Sequence, residues 1–212
     1  TSMKNLILGV LVLMATQLTM AQEFRLGTHY QRLLTPMETR NSDAIEVIEV
    51  FHYGCVHCFN FDPVLDKWRE QQQRDVEFRR LPAVWNETLR LLAQTYFTAE
   101  VLGVIEAVHY PIFKAIHTHG VDLRDLSMTG QLFEEVAEID SAEFSRVYNS
   151  FGVRVRAQQA EAQGRIYGVS GVPTMIVNGK YRVDTTMAGN TKKMLQIVDH
   201  LVEVERAAPG VE

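Results

Sequence analysis

Between Ile45 and Tyr53 the chain reads Ile-Glu-Val-Ile-Glu-Val-Phe-His-Tyr, dense in β-branched and aromatic residues, which predicts a strand. Gly54 ends it. From Cys55 to about Gln73 the apolar positions Phe59, Val64, Leu65 and Trp68 fall at helical spacing, with Pro63 inside the stretch predicting a kink. Val76 to Leu81 predicts a second strand. Strand, helix, strand in that order favours a parallel βαβ unit with a right-handed crossover. Upstream, Gly27 to Pro36 reads weakly as extended, and Asn41-Ser42-Asp43 reads as a turn.

From Asn86 to about Ile166 the pattern changes and no segment predicts a strand. Asn86 is an expected N-cap, with Leu89, Leu92, Ala93 and Tyr96 following at helical spacing. Pro111 is expected in the first turn of a further helix carrying Phe113 and Ile116. Asp140 with Glu143 resembles a capping box ahead of Phe144, Val147 and Tyr148. Gly152 is expected to close that helix, and another runs to about Gln163. Gly168 to Gly171 then breaks the pattern. Thr174 to Val177 predicts a strand, Asn178-Gly179 a tight hairpin, and Tyr181 to Asp184 its partner. Thr191 is expected to cap a last helix carrying Met194, Leu195, Ile197, Val198 and Leu201. Ala207 to Glu212 reads as a tail.

The first residues carry a different message. Lys4 is followed by the apolar run Leu6 to Met14, and Thr19-Met20-Ala21 places small residues three and one before a cut ahead of Gln22. This is the pattern of a secretory signal peptide spanning residues 1–21. The run falls short of the roughly 20 apolar residues that a membrane-spanning helix needs. Export places the mature protein in a compartment where disulfides form.

Composition narrows the function. Of 212 residues, 46% are hydrophobic and 22% charged, which excludes a disordered, collagen-like or multi-span membrane chain. The net charge of −5 carries no basic excess of the kind that marks nucleic-acid binding. There are two cysteines, too few for a disulfide scaffold, so the pair needs its own explanation.

That pair is Cys55-Val56-His57-Cys58, at a strand-to-helix junction. A cysteine at a helix N-terminus meets unpaired backbone N–H groups and the positive end of the macrodipole, which favour the thiolate. The thiolate is the attacking species in disulfide exchange. Cys55 is therefore the expected exposed nucleophile and Cys58, one turn on, the more buried resolving thiol. His57, when protonated, further stabilises the Cys55 thiolate. Other readings are weaker. A structural disulfide across so short a loop gains little from chain entropy. Structural zinc needs a second ligand pair at a distance, and neither His52 and His57 nor His117 and His119 supply one. Haem attachment needs histidine where Phe59 stands. Far along the chain, Gly171-Val172-Pro173-Thr174 puts a proline at a strand entrance, where a missing ladder donor is tolerated.

Three stretches carry a resemblance to a known family. They are Glu49-Val50-Phe51-His52-Tyr53-Gly54-Cys55-Val56-His57-Cys58-Phe59, Phe78-Arg79-Arg80-Leu81-Pro82, and Gly171-Val172-Pro173-Thr174-Met175-Ile176-Val177-Asn178-Gly179. Together with the element order they resemble the DsbA family of periplasmic thiol:disulfide oxidoreductases. The resemblance implies an α/β architecture, a thioredoxin fold with a helical domain inserted between the βαβ half and the C-terminal ββα half. The segments are then 22–85 for the first part, 86–166 for the insertion, 167–206 for the second part and 207–212 for the tail. One departure is Val56, where the common family form has proline. The dipeptide between the cysteines tunes the potential of the pair.

The resemblance also implies roles. The Val172–Pro173 bond is expected to be cis and to face the cysteines, with Val172 offering backbone groups to an extended peptide. Glu49 is expected beneath the site as a buried acid of raised pKa that exchanges protons with Cys58. Its basic partner lies on the next strand, and Arg80, in phase with Val76 and Phe78, fits that place better than Arg79. His52 either lines the site near Cys55 or is exposed strand polarity. Val172, His52 and Val56 are the candidate substrate contacts, whereas Phe59, Trp68, Tyr96 and Phe113 read as core. The implied partners are reduced, unfolded exported proteins and an inner-membrane reoxidant of the DsbB type, with the protein itself a monomer and no cofactor or metal involved. A reductase or isomerase of the same fold, or a redox-inactive chaperone, are the alternatives.

Overall fold

The computed structural model describes residues 23–208. The signal-peptide reading and most of the expected tail fall outside them. The chain opens with β1 (Gln31–Arg32), two residues long, followed by β2 (Ile45–Phe51). Then come α1 (Val56–Glu70) and β3 (Val76–Pro82). Five helices follow: α2 (Glu87–Val101), α3 (Ile105–His117), α4 (Leu126–Ala137), α5 (Ser141–Tyr148) and α6 (Phe151–Ile166). The chain closes with β4 (Thr174–Val177), β5 (Tyr181–Asp184), α7 (Thr185–Ala188) and α8 (Thr191–Ala207).

The sheet order is β1-β5-β4-β2-β3, with β2 parallel to β3 and antiparallel to β4. Strand β2 is buried along its whole length, including Glu46 and Glu49. Its two faces serve two cores. One core, with Val47, Met175 and Val183, packs against Phe61, Leu65 and Trp68 of α1 and the apolar stripe of α8. The other, with Ile48, Val50 and Ile176, meets the helical insertion through Tyr96, Phe113 and Phe144. Each such side chain contributes roughly 1.5–3 kcal/mol when removed from water. Trp68 also donates its indole N–H to Asp199 on α8 at 2.7 Å, and Arg206 forks onto Asp75 at the start of β3. These contacts clamp α1 and α8 on one side of the sheet.

Several local expectations are corrected. The first strand stops at Phe51, because the chain turns at His52 and Cys55 N–H bonds back to the His52 carbonyl at 3.0 Å. Pro111 lies in the interior of α3 rather than in its first turn. The α5 helix ends before Asn149, and Gly152 belongs to the first turn of α6, whose N-cap is Ser150. Asn190, not Thr191, caps α8, its side chain accepting from Lys193 N–H at 2.8 Å. The separate helix α4 and the short α7 carried no clear sequence signal. Pro63 does lie inside α1, as expected. Asn178 and Gly179 both take left-handed conformations in the β4–β5 turn. Glycine is required at 179, since a Cβ there would sit 2.0 Å from the Met37 carbonyl oxygen.

Candidate active site

The β2 strand ends at the N-terminus of α1, and that junction positions both thiols. Cys55 is the N-cap of α1, and its sulfur accepts the Cys58 backbone N–H at 3.2 Å. Capping of this kind satisfies a donor that the helix leaves unpaired and stabilises negative charge on the capping atom. The two cysteines are free thiols, and Cys55, expected to be exposed, is itself buried at 8% exposure because the Val172 loop covers it. The Cys55 thiol is lowered to about 6. The Cys58 thiol's hydrogen bond is the largest cause; backbone N–H groups of Cys58 and His57 and the His57 imidazole add to it, against the opposing effect of burial. Cys58 is fully buried and its thiol is pushed far up, first by burial, then by its bond to Cys55 and by the charge of Glu49. The two sulfurs thus divide the labour: one ionises readily and the other keeps its proton.

The second element of the site comes from the other end of the sequence. The Val172–Pro173 bond is cis, and the Val172 carbonyl stands 3.6 Å from the Cys55 sulfur, which donates to it. Val56 is 49% exposed and His57 is exposed beside it. Next to His57 runs a groove lined by Asn60, Thr185, Thr186, Asn190 and Thr191. His52 is half-buried just past the end of β2, its ring edge-on to the exposed Trp85 at 5.7 Å. Burial and the neighbouring His117 lower its imidazole to about 4, so it is neutral near pH 7. Phe59 is packed between the rings of Tyr110 and His117, and Trp68, Tyr96 and Phe113 are core.

Beneath the thiols lies a charged cluster in the core. Glu49 and Arg80 are register partners on β2 and β3, and Arg80 Nε donates to Glu49 Oε2 at 3.1 Å. Arg79 turns to the opposite face and pairs with Glu46 at 3.0 Å. Burial raises the Glu49 carboxyl to about 8, although Arg80 pulls against it. The sequence reading missed the rest of the cluster. Arg80 Nη2 also donates to Asp62 and to Asp66, each at 2.8 Å. Both acids lie on α1 at four-residue steps from Cys58, a spacing that puts all three on one helix face and was legible in the sequence. His109, from α3, lies 3.2 Å from Asp62 and 2.8 Å from the Tyr53 hydroxyl. Nothing in the sequence near His109 marks it. Among the described residues no group of three or more His, Cys, Asp or Glu side chains is arranged to hold a metal ion.

A cysteine pair at the N-terminus of the first helix, a proline loop facing it and a mixed sheet carrying a helical insertion define a thioredoxin-fold disulfide oxidoreductase. Comparison with known proteins narrows this. Residues 80–201 match the family described as DSBA-like thioredoxin domain. The chain is 37% identical to the thiol:disulfide interchange protein DsbA of Pseudomonas aeruginosa, over 97% of this chain and 99% of that one. It is equally similar to DsbA of Azotobacter vinelandii, over 97% of this chain and 100% of that protein. Among solved structures, Pseudomonas aeruginosa DsbA superposes with a TM-score of 0.82 at 36% identity, covering 87% of this chain and 95% of that one. The oxidoreductase DsbA from Xylella fastidiosa gives 0.80 at 32%, covering 85% and 96%. The chain belongs to the DsbA family of thiol:disulfide interchange proteins, with Cys55 and Cys58 as its redox pair.

Proposed function

We propose that the protein acts in the periplasm as a disulfide donor to reduced, newly exported proteins. Residues 1–21 direct export and are removed. The single observation that carries the direction of exchange is the capped, acidic Cys55 thiol. A thiol that is already ionised near neutral pH stabilises the reduced enzyme and makes its disulfide the stronger oxidant.

The exchange then runs in balanced steps. A client thiolate attacks the Cys55 sulfur of the oxidised pair, the Cys55–Cys58 bond breaks, and Cys58 departs with the electron pair. Cys58, whose thiol is weakly acidic, takes a proton, and the protonated Glu49 carboxyl supplies it. Arg80 balances the carboxylate left behind. A second client thiol, losing its proton to solvent, attacks the client sulfur of the mixed disulfide and expels Cys55 as thiolate. The client leaves oxidised and the enzyme reduced. Val172 holds the client backbone beside cis-Pro173, His52 and Val56 form the adjoining contact surface, and His57 stabilises the Cys55 thiolate. Reoxidation falls to an inner-membrane partner of the DsbB type, and the enzyme works as a monomer.

The test is the redox equilibrium of Cys55–Cys58 against a graded glutathione buffer. Substantial reduction of the pair by mildly reducing glutathione is expected of a donor. A pair that stays oxidised until glutathione is strongly reducing would assign the protein to reductase or isomerase chemistry instead.

A further inference from the structure

The charged cluster under the thiols does not end at Arg80. One guanidinium serves three carboxylates, those of Glu49, Asp62 and Asp66, and two of the three are fully buried. Asp62 has only one of its oxygens bonded; Oδ2 is buried without a hydrogen-bond partner. An ionised carboxylate so placed needs further support. The group that faces its bonded oxygen is His109 Nε2, at 3.2 Å. The other ring nitrogen, Nδ1, is 2.8 Å from the Tyr53 hydroxyl. With a carboxylate at one nitrogen and a hydroxyl at the other, the neutral ring carries its proton on Nε2, toward Asp62, and accepts from Tyr53 at Nδ1. Nε2 approaches Asp62 without closing a hydrogen bond, so Tyr53, His109 and Asp62 form a polar row, one hydrogen bond and one 3.2 Å approach, that begins two residues before Cys55, passes through the inserted helical domain, and returns to the active-site helix.

We propose that His109, oriented by Tyr53, is a positioning residue for disulfide exchange. Together with Arg80 it holds the charge of Asp62 and thereby tunes how firmly Glu49 holds the proton it shares with Cys58. The inference rests on the role proposed above for Glu49 and extends it to a residue of the insertion. Burial lowers the imidazole itself, so it acts as a neutral N–H donor. Asp62 is accordingly held below the ordinary carboxylate value, His109 and Arg80 outweighing burial. The groups around His109 are Asp62 and Asp66 on α1, Arg80 on β3, Tyr53 in the β2–α1 turn, Tyr96 with its partner Glu100 on α2, and Glu106 on its own helix. Removing the imidazole leaves Arg80 as the one donor facing Asp62, so the Asp62 carboxyl rises. Its negative charge then raises Glu49 less, and Arg80 acts on Glu49 against a weaker competitor. Both changes lower the Glu49 carboxyl.

The experiment follows the Glu49 side-chain carboxyl of the reduced protein by carbon NMR titration, together with the rate of exchange with a reduced client. H109L is expected to move the Glu49 titration down by up to about one pH unit, at most a tenfold change in its proton equilibrium. H109Q, whose amide can both donate and accept, is expected to restore much of it. Y53F, which deletes only the hydroxyl and keeps the ring packing, is expected to shift it less in the same direction, and it serves where H109L fails to fold. An unchanged Glu49 titration in both H109L and Y53F, with only the melting temperature lowered, would make His109 a packing residue and overturn the proposal. E49Q separates the two readings. If E49Q leaves exchange unaltered, the Glu49 role fails and takes the catalytic relevance of His109 with it. If E49Q slows exchange but H109L leaves the titration fixed, only the inference about His109 fails.

Discussion

Cys55 and Cys58 are one helical turn apart and experience opposite chemistry. Cys55 sits at the open end of α1, where its sulfur accepts a backbone N–H and faces the Val172 carbonyl, and its thiol is lowered to about 6. Cys58 is turned inward over Glu49 with no exposure at all, and its thiol is pushed up. The difference shows that residue type sets almost nothing here. The same side chain becomes a ready nucleophile or a proton-holding partner according to whether helix-terminal N–H groups or buried acids surround it.

Removing either sulfur breaks the comparison most severely. Cys55→Ser is expected to abolish oxidation of a reduced test protein. Cys58→Ser is expected to leave a reactive Cys55 that accumulates as stable mixed disulfides, visible on non-reducing gels. A Cys55→Ser protein that still oxidised its client at the original rate would overturn the assignment of the nucleophile.

The next effect concerns the cluster on the buried side. Arg80→Met leaves Asp62 and Glu49 without their shared cation. Breaking a buried ion pair in this way costs about 3–5 kcal/mol. Chemical denaturation at pH 7 would measure it, and a loss below about 1 kcal/mol would mean that the carboxyls lie in a more polar setting than their burial indicates. Glu49→Gln acts with the opposite sign and depends on pH. An acid whose folded pKa is raised weakens the fold as pH climbs from its unfolded value, 4.5, to its folded value, about 8. The variant is therefore expected to equal the parent in stability below pH 4.5 and to exceed it by on the order of a few kcal/mol at pH 8. Denaturation curves at pH 4 and pH 8 check the sign.

At the helix-terminal thiol the effect is gentler. The Cys55 thiol is lowered, so its contribution stabilises the reduced protein above the unfolded value near 9 and is lost as pH falls through about 6. The melting-temperature gap between reduced and oxidised protein is expected to move in favour of the reduced form between pH 6 and pH 9 and to be flat below 6. Thiolate absorbance should titrate over the same lower limit. The smallest expected change is Val56→Pro. The side chain at 56 is exposed at the first helical position, where proline fits without strain, so stability should stay within about 0.5 kcal/mol while the redox equilibrium shifts.

Much of this was legible before any coordinates. The β2–α1–β3 unit followed from the run Ile45 to Tyr53, the helical spacing behind Cys55 and the apolar residues of β3, because period and propensity act over a few neighbours. The helix-terminal cysteine pair was legible for the same reason: capping is local chemistry. Local signals also had limits. They misplaced Pro111 because α3 packs on α2 and α4 and runs through it, and Gly152 because the Ser150 cap starts α6 just ahead of it.

The sequence by itself determined where the strands and most helices lie, which residue caps α1 and which thiol leads. Tertiary structure decided what lies beneath and opposite the thiols. It set Arg80, which strand phase already favoured over Arg79, directly opposite Glu49 through the register of two parallel strands, and added Asp62 and Asp66 to the pair. It brought Val172 to Cys55 across 117 positions of sequence, and His109 to Tyr53 across 56. The physical reason is range: capping and periodicity are settled among adjacent residues, whereas burial, and the pKa shifts that follow from it, exist only once distant segments have excluded water together.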